Sequence, residues 1–88
     1  MNMKHTSHAA VISRLKRAEG HLRSVIAMME AERQCLDVAQ QLHAVEKAIT
    51  SAKRTFIQDH IDHCLRDDSP AVDTHSTIHE LKTLAKYL

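Results

Sequence analysis

Cys35, His60 and Cys64 are the residues of this chain whose types suit soft-metal chemistry. His60 and Cys64 stand four residues apart, so on a helix they share one face, a spacing from which an imidazole and a thiolate can hold one ion. Cys35 lies 25 residues upstream of His60. At 1.5 Å per residue a continuous helix would keep it roughly 37 Å away, and a site using all three must then take Cys35 from a second subunit. The competing reading is structural. Free cysteine is among the most buried residue types and packs as a small hydrophobe, so two cysteines on an apolar seam also fit a plain core.

The elements that must position these residues are helices. The one glycine is Gly20 and the one proline is Pro70, so nothing between Arg33 and Arg66 breaks a helix. Val38, Leu42, Val45, Ile49, Ala52 and Phe56 recur at alternating steps of four and three, the pattern of a helix that packs lengthwise against another. Leu42 and Phe56 are equidistant from Ile49, and Val45 and Ala52 nearly so. An antiparallel self-pair centred near Ile49 therefore matches the seam with its own copy and sets Cys35 opposite position 62 or 63 of the partner, between His60 and Cys64. A first helix is predicted from an N-cap at Ser7 to about Ala31, with Val11, Leu15, Leu22, Ile26 and Met29 on one face and Gly20 permitting close helix approach. The run Asp67-Asp68-Ser69-Pro70 ends the second helix. A short third helix starts around Asp73 to Thr77 and buries Ile78, Leu81, Leu84 and Leu88.

Composition agrees. With 88 residues and 2% aromatics, the chain is one all-α domain spanning 1–88, with residues 1–7 as a flexible N-terminal arm, and it has little with which to fill a private core. Oligomerisation is the expected remedy. No apolar run approaches the ~18 residues of a membrane span, and the N-terminal MNMKHTSHAA lacks the apolar stretch of a signal peptide. These features point to a soluble cytoplasmic protein whose surroundings keep both thiols reduced. The net charge is +1, yet Arg14, Lys16, Arg17 and Arg23 crowd the first helix and Lys53 and Arg54 the second, while Asp59, Asp62, Asp67 and Asp68 gather near its end. Basic stretches joined across subunits can follow a phosphate backbone; alone, they are solvated helix faces. No standard nucleic-acid motif is present. No nucleophile stands beside a base, which argues against an enzyme.

Three segments carry a resemblance: Arg14-Leu-Lys-Arg-Ala-Glu-Gly20-His, Cys35-Leu-Asp-Val-Ala-Gln-Gln-Leu-His-Ala-Val45 and His60-Ile-Asp-His-Cys64. Together they resemble the CsoR/RcnR family of bacterial metal- and formaldehyde-responsive repressors, over nearly the whole chain. The resemblance implies a three-helix subunit that pairs into an antiparallel dimer and then a dimer-of-dimers tetramer. It implies a protein that binds operator DNA in its apo form, represses efflux genes and lets go when the effector binds, each site joining Cys35 of one subunit to His60 and Cys64 of the other. Arg14, Lys16 and Arg17 match the family's basic positions in the first helix, and Lys47, Lys53 and Arg54 extend the candidate DNA surface. Where members often carry arginine after the Ala-Val pair, this chain has Glu46 followed by Lys47. A carboxylate repels phosphate, so either Lys47 substitutes or the surface is used differently. Glu80 matches an acid that copper-sensing members use to support the histidine, while Gln34 stands where they often place tyrosine.

The effector implied by the resemblance depends on the arm. Two thiolates and one imidazole suit trigonal Cu(I), and this triplet is the family's copper-sensing pattern. Nickel and cobalt members add nitrogen ligands from the N-terminal arm, and His5 and His8 lie in a segment resembling theirs, so Ni(II) or Co(II) is the expected effector and Cu(I) the alternative. His63, His21 and His43 are further candidate ligands. Formaldehyde stands third, since aldehyde sensors usually carry an N-terminal proline and lack the second cysteine, whereas Asn2 and Cys64 stand here. A metal-storage or chaperone protein without a DNA role is the alternative from another class.

Overall fold

A computed structural model describes residues 8–66 and 74–88. They form three helices, α1 (His8–Glu30), α2 (Cys35–Arg66) and α3 (Thr74–Ala85), with no strand among the described residues. The 32 residues of α2 run for roughly 48 Å, unbroken as the lack of glycine and proline predicts. The expected N-cap Ser7 and the Asp67 to Pro70 terminator lie outside the described residues.

The α1–α2 turn is closed by the backbone itself. Arg33 N–H donates to the Met28 carbonyl at 3.0 Å and Glu32 N–H to that of Met29 at 3.1 Å, the paired bonds of a Schellman C-cap. That cap needs a left-handed residue, and Glu32 fills the place with φ 56°. A side chain with a Cβ costs about 1–2 kcal/mol in this conformation, so Glu32→Gly is expected to stabilise the fold by about 1 kcal/mol. A thermal midpoint raised by a few degrees checks this; a lowered one means that the Glu32 side chain contributes more than the strain removes.

α1 and α2 pack through small residues seven apart. Val11, Ala18 and Val25 on α1 are buried, as are Val45 and Ala52 on α2, and their size lets the helix axes approach closely. Two expectations change here. The single seam on α2 is two rows: Val45 and Ala52 turn toward α1, while Leu42, Ile49 and Phe56 stay 46%, 44% and 41% exposed. On α1, only Val11 of the predicted apolar face is buried, and Leu15, Leu22, Ile26 and Met29 are exposed. Polarity marked both rows on each helix as apolar, but shape decided which row meets the neighbouring helix. α3 likewise leaves Leu81 and Leu84 only half-buried, and Ile78 and Leu88 exposed. Gly20 is exposed, and a Cβ there would meet no atom within 4 Å, so it permits no close approach within the subunit.

Polar ties set the register of the hairpin. His21 Nε2 and Gln41 Oε1 are 2.7 Å apart, and Arg14 Nη1 donates to Thr55 Oγ1 at 3.3 Å. The whole measures 58 × 23 × 14 Å. Its least dimension is close to one helix diameter, so each long helix keeps a face outside any core that the subunit can enclose.

Candidate metal centre

His60 and Cys64 sit one turn apart near the C-terminal end of α2, as their spacing predicts. Cys64 Sγ lies 3.5 Å from His60 Nε2. α3 doubles back to bring Glu80 Oε2 within 3.1 Å of the same nitrogen. One ligand atom from each of the three residues falls within 4.8 Å of the others. The ring of His60 is well covered, with 23% of its side chain exposed against 54% for Glu80. Sulfur, nitrogen and oxygen donors thus converge in a partly shielded place, which fits a borderline divalent ion, while the thiol and imidazole alone also fit Cu(I).

The Glu80 contact bears on which ring nitrogen is available. While the carboxylate accepts a hydrogen bond from Nε2–H, the ring is in a fixed orientation and Nδ1 carries the lone pair. An ion held through Nε2 would take the place of that proton, with Glu80 near enough to supply an oxygen donor. Glu80 is 20 residues from His60 on a separate helix, so no spacing rule could have placed it; only the family resemblance pointed to it.

Cys35 opens α2 at its other end and is exposed. It lies in an apolar groove with Met29, Val38 and Leu42, and one subunit does not bring it to His60 and Cys64. Cys35, Leu42, Ile49, Phe56 and His63 are successive members of one seven-residue row, so the exposed row of α2 runs from Cys35 to the neighbourhood of the His60/Cys64 pair.

Of the other histidines, His8 stacks on Phe56 with ring centroids 5.3 Å apart, one helical turn before His60. His5 lies outside the described residues. His63 is half-buried at that same end. His21 is engaged with Gln41, and His43 Nδ1 lies 3.6 Å from a Glu46 carboxylate oxygen; both stand on other parts of α1 and α2, away from the cluster.

Four candidate DNA-binding cations share one surface. Arg14 and Arg17 line a groove with Ala48 and Ser51, and Lys47 and Arg54 line an adjoining one that also includes Ser51. Lys16 does not join them, because two helical residues differ by about 200° and it leaves α1 on the side opposite Arg14. Lys53 is also set apart. It lines neither groove, and it lies four residues from Ile49 and seven from Glu46, which borders both the groove of Lys47 and Arg54 and the apolar groove of Leu22, Leu42 and Ile49.

A family model described as metal-sensitive transcriptional repressor matches residues 7–87. The copper-sensing transcriptional repressor CsoR of Bacillus subtilis (strain 168) is 34% identical over 76 residues, which cover 86% of this chain and 75% of that protein. The protein of the same name from Mycobacterium ulcerans (strain Agy99) is 40% identical over 55 residues, covering 62% of this chain and 47% of its own length. Among solved structures, the nickel-responsive transcriptional regulator InrS superposes with a TM-score of 0.81 at 28% identity, and the match covers 100% of both chains.

Proposed function

This chain belongs to the metal-sensitive transcriptional repressor family, and we propose that it binds operator DNA in its metal-free form and releases it on binding Ni(II) or Co(II), derepressing metal efflux genes in the cytoplasm. The observation that carries this reading is the layout of α2. Donor groups stand at both ends of one exposed row, with Leu42, Ile49 and Phe56 between them. An antiparallel pair centred near Ile49 covers that row and brings Cys35 of each subunit to His60 and Cys64 of its partner. Two such dimers form the tetramer. An ion held this way ties the start of one α2 to the end of the other, so binding favours one relative placement of the subunits and of their Arg14, Arg17, Lys47 and Arg54 surfaces. Glu80 supports the site by holding His60.

The divalent effector is favoured by the carboxylate beside His60, by His8 near the metal end and by the whole-chain likeness to a nickel-responsive regulator. Cu(I) is the second reading, favoured by the Cys-Cys-His triplet and by the copper-sensing relatives. Metal titration of the reduced protein separates the two. Co(II) is expected to give thiolate charge-transfer and ligand-field bands, and replacing His5 and His8 by alanine should weaken Ni(II) and Co(II) binding while sparing Cu(I). Nickel affinity unchanged by those substitutions removes the arm histidines from the site. No operator binding by the metal-free protein removes the repressor reading altogether.

A further inference from the structure

We propose that Glu46 and Lys53 form two reciprocal ion pairs across the two-fold axis of the α2–α2 dimer and so set its orientation and register. The inference rests on the antiparallel dimer proposed above and adds to it the charged groups that select it. Only one row of the predicted seam, Val45 and Ala52, is used up against α1. The face left open is the row of Leu42, Ile49 and Phe56 together with the row beside it, displaced by four residues, which carries Glu46 and Lys53. Glu46 stands on the edge between two grooves, one shared with Leu42 and Ile49 and one with Lys47 and Arg54. Its side chain is 77% exposed and lies 3.6 Å from His43, one turn back on the same helix. Lys53 is exposed as well.

Symmetry then decides what each meets. Glu46 lies three residues before Ile49 and Lys53 four after it, so an antiparallel axis at or just past Ile49 sets Glu46 of one subunit against Lys53 of the other, twice over. A parallel in-register pair sets each residue against its own copy, carboxylate facing carboxylate and ammonium facing ammonium. The charges therefore favour one orientation and penalise the other, as flanking charges do in coiled coils. This gives Glu46 a role that a DNA-facing carboxylate lacks. It also moves Lys53 from the phosphate surface to the dimer face, leaving Lys47 and Arg54 to continue the basic surface of Arg14 and Arg17.

Charge reversal tests the pairing with the reduced, metal-free full chain and no DNA. Glu46→Lys alone and Lys53→Glu alone each place like charges at both contacts. Like charges placed opposite one another repel, most strongly at low salt, so each dimer should dissociate about tenfold more readily there, an effect summed over the two contacts. Carrying both substitutions in one chain restores opposite charges and the wild-type dissociation constant. Mixing the two single variants should yield heterodimers in excess over either homodimer, read by native mass spectrometry, with helicity by circular dichroism showing that each variant is folded. Single variants that dimerise as tightly as the wild type, or that mix only statistically, overturn the ion pairs and leave the dimer standing. A wild-type chain that stays monomeric overturns both.

Discussion

Cys35→Ala is expected to leave metal-free operator binding essentially unchanged and to abolish release by metal. The thiol is exposed at the start of α2, so its removal leaves no cavity, and it lies far from the surface that carries Arg14, Arg17, Lys47 and Arg54. In the proposed dimer it supplies the connection between subunits. Without it, His60 and Cys64 retain a weakened local site within one chain, but an ion there ties nothing to the partner. Binding without bridging has no differential effect on the two arrangements of the dimer. Coupling of this kind ordinarily amounts to about 5–150-fold in affinity; in the variant the ratio of metal-free to metal-loaded operator affinity should fall to about 1. Fluorescence anisotropy with labelled operator, with and without metal, measures that ratio. A folded variant that no longer binds DNA makes Cys35 a structural residue, and release that persists shows the bridge is not the switch.

Replacing Arg14 and Arg17 together by alanine is expected to produce the other large effect, on DNA rather than on metal. For every phosphate that is no longer neutralised, the steepness of log affinity against log salt should fall by about 0.9, and binding should weaken regardless of base sequence. The change multiplies with the number of subunits on the operator. Lys16→Ala is the internal control, since Lys16 leaves α1 on the opposite side and should alter the slope less. The Arg14–Thr55 hydrogen bond is exposed and removing it costs about 1 kcal/mol at most, so the double variant stays folded. A salt slope equal to that of the unmodified protein would move the DNA surface elsewhere.

The parts of this molecule that are legible in its sequence are those governed by local spacing. An uninterrupted α2 follows from the absence of glycine and proline between Arg33 and Arg66, and the nearness of His60 to Cys64 follows from a four-residue step. Legibility fails where two surfaces compete for the same kind of residue. Val45 and Ile49 are both aliphatic and adjacent on the helix, and hydropathy cannot tell that the smaller side chain faces α1 while the larger stays outside. Glu80 is reached through family likeness alone, because its approach to His60 depends on how α3 returns. Glu32 escapes for a third reason. Left-handed caps usually show themselves by glycine, and here the backbone bonds of the turn hold a glutamate there instead. Glu46, by contrast, is visible as an anomaly on a surface read as basic, and the proposed pairing with Lys53 of the partner subunit offers a reason for it.

A subunit only 14 Å thick has a further consequence, in mass action. In the proposed dimer, covering the Leu42, Ile49 and Phe56 row and completing the metal site are one event, so the number of competent sites follows the square of the free-chain concentration when the chain is scarce. Dilution then acts against metal binding even at constant metal activity. Abundance of the protein becomes a second input to the response, and a cell holding few copies needs more metal to reach the same occupancy.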